Sequence, residues 1–405
     1  MRILLVHQNF PGQFKHLVHA LQARGDEVVA MGNRRPSPGF PFRYVQWRPE
    51  YSTGKEGHPW SHDLDTKLIR GTASLKAAQQ LKADGFTPDV ILVHPGWGEA
   101  MFLKLVWPRA QMGIYCEYHY QPEGGDVGFD PEFSTPATIE ETARLRVRNI
   151  ASSFAMEDAV AGLSPTVWQA DTFPSAFRSR ISVVHDGIDT DFVRRKAGVQ
   201  LRLSKGVVLS ADDEVITFVA RNLEPVRGYH MFMRALPALL RERPNANVLI
   251  IGGTDVSYGR APPIGTSWKD IFLDEVRQEL DMTRVHFVRP LPHADFLSVL
   301  SVSRVHVYLT YPFVLSWSLL EAMALGCAIV ASNTEPVREV ITDKETGLLV
   351  PFFDRKALVD AIAGLCADAT ERRRLGGNAK ALVAEHYDLR SRCLPRQLAW
   401  IDGLR

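Results

Sequence analysis

Residues 1–31 decide the fold class, and they read MRILLVHQNFPGQFKHLVHALQARGDEVVAM. Residues 3–6 form a continuous apolar run of strand length, which is typical of a strand buried on both faces. The apolar residues that follow recur at helical spacing: Phe14, Leu17, Val18 and Leu21. Gly25 then ends this pattern, and residues 28–31 form a second apolar run. This alternation of strand, loop, helix and strand predicts a parallel sheet covered by helices.

The same alternation continues along the chain in two series. The first series contains strand candidates at residues 3–6, 28–31, 90–93, 113–117, 159–163 and 181–184. The second follows a largely polar stretch and contains candidates at residues 215–220, 248–251, 285–288, 305–309, 328–331 and 348–350. The sequence therefore predicts an α/β protein of two Rossmann-like, doubly wound parallel-sheet domains.

The polar stretch at residues 194–213 suggests where the domains divide. We expect an N-terminal domain over residues 1–195 and a second domain over residues 206–385. Residues 386–405 should form a helical tail that packs back on the first domain. Residues 252–267 contain four Gly and two Pro without periodicity, which indicates a long surface loop in the second domain.

Composition excludes several classes of function. The 405 residues include 47 Lys plus Arg and 46 Asp plus Glu, so the net charge of +1 gives no overall field that would favour nucleic acid as a partner. The four cysteines are too scattered for a disulfide framework or a metal-binding motif: Cys116, Cys327, Cys366 and Cys393. No run approaches the roughly 20 apolar residues of a membrane span. We therefore expect a cytoplasmic protein, and peripheral contact with the inner face of the membrane stays open.

Loops that follow the strands are the first places to look for chemistry, because open parallel sheets bind ligands at the carboxyl ends of their strands. The loop after the first strand contains Gly12, whose amide could approach a phosphate or an acceptor at the start of the next helix. A simple strand-to-helix turn is the alternative. Neither first-strand loop has the GxGxxG spacing of a dinucleotide site, which disfavours a nicotinamide oxidoreductase.

The corresponding loop of the second domain carries two arginines. Residues 221–228 read RNLEPVRG, so Arg221 and Arg227 come between a strand and a helix. Two permanently charged guanidinium groups beside a helix N-terminus could bind a diphosphate and stabilise the charge that develops as it leaves. Two solvated surface arginines are the alternative interpretation.

A third motif covers residues 316–332, which read SWSLLEAMALGCAIVAS. Glu321 lies in the first turns of the helix that this pattern predicts. A carboxylate there could accept two hydrogen bonds from a ribose diol, as acidic residues do in nucleotide-binding folds. The alternative is an ordinary glutamate near a helix N-terminus, where the helix dipole favours negative charge.

Together these motifs resemble the GT-B-fold glycosyltransferases of family 4, a retaining class that uses nucleotide sugars. The resemblance covers nearly the whole chain and rests on five segments: Phe10-Pro11-Gly12-Gln13, the arginine loop before Gly228, His185-Asp186-Gly187-Ile188-Asp189, Leu320-Glu321-Ala322-Met323-Ala324-Leu325-Gly326 and Thr346-Gly347-Leu348-Leu349-Val350. It implies two Rossmann-like domains that face each other across a cleft. It also implies transfer of a sugar from a nucleoside-diphosphate donor to a glycan, lipid or small-molecule acceptor.

The resemblance implies roles for individual residues. The paired basic residues hold the donor diphosphate, which assigns that role to Arg221 and Arg227, and the glutamate before Ala-Met-Ala binds the nucleotide ribose, which assigns that role to Glu321. His119, after the strand at residues 113–117, resembles the active-site histidine. Further donor-side residues are Gly12, Arg289, Leu291, Ser316 and Leu320. Acceptor-side residues are Pro11, Gln13, His94, Trp97 and Glu117.

The sequence departs from the family pattern at two places. The family usually has a second glutamate eight positions before the ribose glutamate, followed by a Gly-Phe-Gly-like loop, whereas this chain has Phe313-Val314-Leu315. The second basic residue is usually lysine, whereas this chain has Arg227. These departures affect sugar recognition and the geometry of phosphate binding respectively.

The sequence leaves three functions open, of which retaining glycosyl transfer is the one we favour. In the front-face mechanism proposed for this class, no carboxylate nucleophile is required. Because arginines take the place of a metal, we expect neither a metal nor another cofactor. A non-catalytic nucleotide-sugar-binding protein is one alternative, and an epimerase or phosphorylase of the same fold is another. The nucleotide base, the sugar and the acceptor are not specified by the sequence.

Overall fold

The computed structural model describes residues 1–34, 40–54, 56–134 and 137–405. The chain divides into two compact units. The first unit comprises Met1–Glu123, Pro136–Gly187 and Leu389–Arg405, and the second comprises Gly124–Thr135 and Ile188–Asp388. Each unit is built around its own parallel sheet.

The first unit contains a seven-stranded sheet with strand order β3-β2-β1-β4-β5-β6-β7. Its strands are β1 (Arg2–Val6), β2 (Glu27–Gly32), β3 (Arg43–Gln46), β4 (Val90–Val93), β5 (Gln111–Tyr115), β6 (Ala161–Ser164) and β7 (Ile181–Val183). All six neighbouring pairs are parallel. Its helices before the tail are α1 (Lys15–Ala23), α2 (Ser61–Ala83), α3 (Leu103–Val106), α4 (Ile139–Arg148), α5 (Ile150–Asp158), α6 (Val167–Asp171) and α7 (Ser175–Arg178).

The side chains of β1 show why this sheet forms. Leu4 and Val6 pack in one hydrophobic cluster and Ile3 and Leu5 in another, and all four are fully buried. Successive side chains of a strand point to opposite faces, so β1 is covered on both sides. Burial on both faces explains why residues 3–6 form a continuous apolar run.

The second unit contains a six-stranded parallel sheet with strand order β12-β11-β10-β13-β14-β15 and a separate antiparallel pair, β8 with β9. The strands are β8 (Leu201–Arg202), β9 (Val208–Leu209), β10 (Val215–Asn222), β11 (Asn247–Gly253), β12 (Val285–Val288), β13 (Val305–Tyr308), β14 (Ala328–Ser332) and β15 (Leu348–Val350). The helices are α8 (Tyr229–Glu242), α9 (Trp268–Val276), α10 (His293–Val302), α11 (Trp317–Ala324), α12 (Glu335–Arg338), α13 (Arg355–Ala367) and α14 (Ala369–His386). The predicted fold class of two doubly wound parallel sheets is confirmed.

Three features differ from the sequence-based expectation. Strand β3 and the short strands β8 and β9 were not predicted. Strand β3 lies at the edge of its sheet, and its residues are exposed or partly buried. The segment Gly124–Thr135 lies inside the expected first domain but clusters with the second unit. Strand β10 continues to Asn222, so Arg221 lies in the strand and not in the loop after it.

The C-terminal residues return to the first unit. A π-helical turn at Leu389–Cys393 leads into α15 (Leu394–Asp402). Ile401 and Leu404 are buried in the same hydrophobic cluster as Ile3 and Leu5 of β1. Within the described part of the chain, no helix combines the length and the apolar character needed to span a bilayer.

Candidate functional site

The candidate residues of the first unit lie where its strand order reverses. Strand β1 has β2 on one side and β4 on the other. Ligands of such sheets bind beside this switch point. The segment from His7 to Gln13 follows β1, and His94 follows β4 directly. Glu117 lies just after β5, the next strand.

A hydrogen-bonded chain joins four of these side chains. His7 Nε2 lies 2.7 Å from Gln13 Oε1, and Gln13 Nε2 donates to Glu117 Oε1 at 2.8 Å. His94 Nε2 lies 3.2 Å from Glu117 Oε2. The structure thus brings together Gln13, His94 and Glu117, three of the predicted acceptor-side residues, and adds His7.

The protonation state of His7 follows from its surroundings. Burial and the neighbouring His94 lower the pKa of His7 to about 3, although its hydrogen bond with Gln13 opposes the shift. Its Nδ1 accepts a hydrogen bond from the amide of Asn9 at 3.0 Å. Neutral His7 therefore carries its hydrogen on Nε2 and donates it to Gln13, which turns the amide of Gln13 toward Glu117.

The remaining predicted residues of this region support the network. Gly12 has a φ of +48°, and a Cβ added there would lie 2.3 Å from the His7 ring, so glycine is required for this packing. Pro11 accepts a hydrogen bond from the amide of Phe14 at 2.9 Å and so closes the turn that contains Gly12. Trp97 stacks on His94 with ring centroids 4.2 Å apart.

His119 lies in the same unit and is held by residues distant in sequence. Its amide donates to Thr172 Oγ1 at 3.1 Å, and its Nδ1 lies 3.2 Å from Asn149 Nδ2. Burial lowers the pKa of His119 to about 4, so the imidazole is neutral at pH 7. With Nδ1 accepting from Asn149, its hydrogen is on Nε2. Sequence reasoning found His119 but missed Asn149, which lies between α4 and α5 and carries no local motif.

The arginines of the second unit lie at the corresponding switch point, since β10 has β11 on one side and β13 on the other. Arg227 lies in a 3-10 turn, Pro225–Arg227, which Gly228 joins to α8. Gly228 has a φ of +67°, and a Cβ there would lie 2.3 Å from the Cβ of Leu309. This close approach holds the arginine turn against the chain that follows β13.

Arg227 is buried, with 8% of its surface exposed. Its Nη1 donates to Thr310 Oγ1 at 2.9 Å and to the carbonyl oxygen of Val314 at 3.0 Å. Its guanidinium carbon lies 5.3 Å from the ring centroid of Tyr258 and 5.6 Å from that of Phe313. Among the described residues, no carboxylate lies within 4.0 Å of this guanidinium.

Tyr258 connects the two arginines. The guanidinium carbon of exposed Arg221 lies 5.8 Å from the centroid of the Tyr258 ring. The centroid of the Phe313 ring lies 5.0 Å from the same centroid. Buried Glu224 holds the loop that carries Tyr258, because Glu224 Oε1 accepts from the amides of Ser257, Tyr258 and Gly259 at 3.0, 3.2 and 3.3 Å. Sequence reasoning predicted this loop but missed its anchor and its aromatic ring.

Glu321 lies on α11 and has a partner that the sequence did not reveal. Its Oε1 lies 2.6 Å from Nε2 of His293, the first residue of α10. The side chain of Glu321 is 14% exposed, and that of His293 is 41% exposed. The ring of His293 in turn stacks on Phe192, with centroids 5.6 Å apart. Glu321 is therefore largely buried and hydrogen-bonded to His293, and its assignment to the ribose stays a prediction.

The four other predicted donor-side residues have different environments. Arg289 is exposed and follows β12, and Leu291 packs partly buried against the hydrophobic core. Ser316 is the N-cap of α11, where its Oγ accepts from the amide of Ser318 at 3.3 Å. The side chain of Leu320 is fully buried in the core, so a donor contact there would involve its backbone, and its assignment stays a prediction.

One group of potential metal ligands occurs among the described residues. Ligand atoms of Asp130, Glu132 and His230 lie within 4.8 Å of one another. However, the guanidinium of Arg234 binds both carboxylate oxygens of Glu132 at 2.6 and 2.7 Å. This cation neutralises Glu132, so the arrangement is explained without a metal ion.

Comparison with protein families places both halves of the chain. Residues 24–193 match the model of the glycosyl transferase family 4 group, and residues 202–382 match that of glycosyl transferases group 1. The chain therefore belongs to the glycosyltransferases, with a family 4 group domain followed by a group 1 domain. This confirms the family that the motifs indicated.

Individual relatives support the same placement. The chain is 29% identical over 201 residues to D-inositol 3-phosphate glycosyltransferase of Corynebacterium urealyticum; the match covers 48% of this chain and 45% of that protein. The chain thus spans about half the length of this curated relative. Sucrose-phosphate synthase of Thermosynechococcus elongatus superposes with a TM-score of 0.70 at 18% identity, covering 100% of this chain and 99% of that one. Anabaena HepE in complex with UDP-glucose gives 0.70 at 16% identity, with the same coverage. These likenesses confirm the GT-B fold.

Proposed function

We propose that the protein transfers a sugar from a nucleoside-diphosphate donor to an acceptor hydroxyl with retention of configuration at the anomeric carbon. The observation that carries this proposal is the pair Arg221 and Arg227, which lie over one tyrosine ring and have no carboxylate partner within 4.0 Å among the described residues. By contrast, Arg234 and Arg243 of the same unit are paired with carboxylates. Burying an uncompensated cation is costly, so the position of Arg227 favours an anionic ligand.

A diphosphate leaving group fits this arrangement. Its negative charge increases as the glycosidic bond breaks, and two preorganised guanidinium groups stabilise the transition state more than the ground state. Glu321 supplies an acceptor for the ribose hydroxyls. Because the arginines provide the positive charge, we propose that no metal or other cofactor is required.

The groups of the first unit suit the acceptor. Neutral His119 offers a hydrogen-bond donor at Nε2, and the Gln13, His94 and Glu117 cluster offers donors and acceptors for hydroxyl groups. Retention is supported by the family 4 resemblance: the incoming hydroxyl and the leaving phosphate share one face, and no enzyme carboxylate attacks the sugar. The acceptor is a glycan, a lipid or a small molecule, and peripheral membrane contact would accompany a lipid.

The test is transfer by the purified chain. UDP-glucose is the first donor to examine, because the similarly folded HepE was solved with it. Inositol phosphates are the first acceptors to examine, because the chain is similar to D-inositol 3-phosphate glycosyltransferase. We expect release of the nucleoside diphosphate, an acceptor-linked product with the donor's anomeric configuration by NMR, and unchanged rates in EDTA. Donor binding without transfer or hydrolysis across a panel of donors and acceptors would favour a non-catalytic binding protein. An isomerised sugar nucleotide would favour an epimerase.

A further inference from the structure

The segment Gly124–Thr135, which clusters with the second unit, makes aromatic contacts with it. Its Phe129 packs against the rings of Tyr311, Phe352 and Phe353, with centroid distances of 5.0, 5.3 and 5.3 Å. Its Phe133 packs against His230, Trp268 and Phe272. Asp130, one of the three residues between Phe129 and Phe133, has 1% of its surface exposed.

Asp130 bridges two parts of the second unit. Its Oδ2 accepts a hydrogen bond from the hydroxyl of Tyr311 at 2.6 Å and lies 3.0 Å from Nε2 of His230. Its Oδ1 accepts from the amide of Glu132 at 3.0 Å. Burial raises the pKa of Asp130, but the contacts with His230 and Tyr311 outweigh burial and lower it below its usual value. Asp130 is therefore a carboxylate at neutral pH.

The two parts that Asp130 joins are those that hold Arg227. His230 is the second residue of α8 and follows Arg227 by three positions. Tyr311 follows Thr310, the hydroxyl of which accepts from Arg227. The amide of Tyr311 also donates to the carbonyl oxygen of Val226 at 2.9 Å, which ties the two backbones together beside Arg227.

We propose that Asp130 is a positioning residue for the diphosphate site. Its carboxylate fixes the start of α8 relative to the chain after β13, and thereby sets the direction of the Arg227 guanidinium. Buried polar contacts of this kind restrict the geometry of the groups they join, so losing the Asp130 carboxylate allows the arginine turn more than one arrangement. This inference rests on the proposed function only in naming the ligand of Arg227.

Two conservative substitutions test this role. Asp130→Asn removes the charge and Tyr311→Phe removes one hydrogen bond while keeping the ring that packs on Phe129. Glu132→Gln is the matched control, because Glu132 lies on the same segment but binds Arg234, away from the Arg227 turn. The affinities for UDP, for inorganic pyrophosphate and for uridine are measured by calorimetry. We expect the first two variants to weaken UDP and pyrophosphate binding at least fivefold and to leave uridine binding unchanged.

Two further measurements separate positioning from general packing. In an Arg227→Ala background, Asp130→Asn should cause no additional loss of pyrophosphate affinity. Without ligand, hydrogen exchange of peptides spanning residues 221–230 and 308–316 should be faster in Asp130→Asn than in Glu132→Gln. Unchanged affinity and exchange in Asp130→Asn and Tyr311→Phe would overturn the inference, as would equal losses in uridine affinity. If the wild-type protein binds neither UDP nor pyrophosphate while exchange responds as expected, the proposed function fails and the positioning role stands.

Discussion

Replacing Arg227 by alanine should weaken binding of a nucleoside diphosphate far more than it weakens folding. In the structure, Nη1 is committed to Thr310 and Val314, whereas the other guanidinium nitrogens have no hydrogen-bond partner among the described residues. A hydrogen bond from a charged donor contributes about 1.5–3 kcal/mol. Loss of one such bond to phosphate therefore raises the Kd of UDP by roughly 10- to 150-fold.

The effect on folding should be small because two changes offset each other. Alanine leaves the hydroxyl of Thr310 and the carbonyl oxygen of Val314 without their donor, but it also removes a buried cation that has no carboxylate partner. We expect the free energy of unfolding without ligand to change by less than about 2 kcal/mol. An arginine retained only for stability would show the reverse pattern, a large loss of stability and little loss of affinity.

The assay combines UDP calorimetry, urea unfolding and single-turnover transfer at saturating donor. Arg241→Ala is the matched control, because Arg241 lies on the adjacent helix α8 with an exposed side chain. Arg227→Lys should recover part of the affinity, since lysine restores the charge but cannot bind Thr310, Val314 and phosphate with one planar fork. A Kd for Arg227→Ala within twofold of that of the wild type would refute the assignment of Arg227 to the diphosphate.

Three other predictions concern separate parts of the chain. Glu321→Gln should weaken UDP binding by about 1–3 kcal/mol, and calorimetry with 2′-deoxy-UDP should show a smaller difference between wild type and variant; equal differences would remove the ribose from the explanation. Glu224→Ala should leave three loop amides unpaired and speed tryptic cleavage after Arg260, measured by mass spectrometry, whereas an unchanged rate would show that the loop does not depend on this anchor. Because burial lowers the pKa of His119 and of His306 to about 4 each, these groups stay neutral in the folded protein while they bind protons in the unfolded chain below about pH 6.5. Above that pH these histidines should not lower the free energy of unfolding, and between about pH 6.5 and 4 this free energy should fall in urea titrations. A flat profile across this window would contradict the lowered pKa values of the two histidines.

The sequence was sufficient to predict strands that are buried on both faces, because their signal is local. Residues 3–6 and 90–93 are uninterrupted apolar runs, and both are strands. Strand β3 has no such run: residues 43–46 read RYVQ and lie at the edge of the sheet. Its position depends on pairing with β2, and a pairing partner cannot be read from a partly exposed segment alone.

The residues of the candidate site also divide into those with a local sequence signal and those that depend on distant contacts. Arg227 and Glu321 could be predicted as site residues because each belongs to a short motif between a strand and a helix. His293 and Asp130 could not, because the contacts that give them importance are made with residues 28 and 181 positions away. Leu320 shows what a motif leaves out: its place in the motif suggested ligand contact, but the motif does not say that its side chain points into the core.

In the sequence, Phe313 is notable only because it replaces a glutamate that the family usually has. Its position in the structure explains how Arg227 tolerates burial. The ring of Phe313 and that of Tyr258 both lie within 6 Å of the guanidinium carbon. Such cation–π contacts stabilise the cation by about 0.5–2 kcal/mol each. A buried carboxylate at the same place would bind the cation more strongly, and a diphosphate would have to displace it at the cost of leaving that carboxylate unpaired. Aromatic contacts therefore let the cation remain buried without a counterion, so under the proposed function an incoming diphosphate would meet a desolvated charge with no carboxylate competing for it.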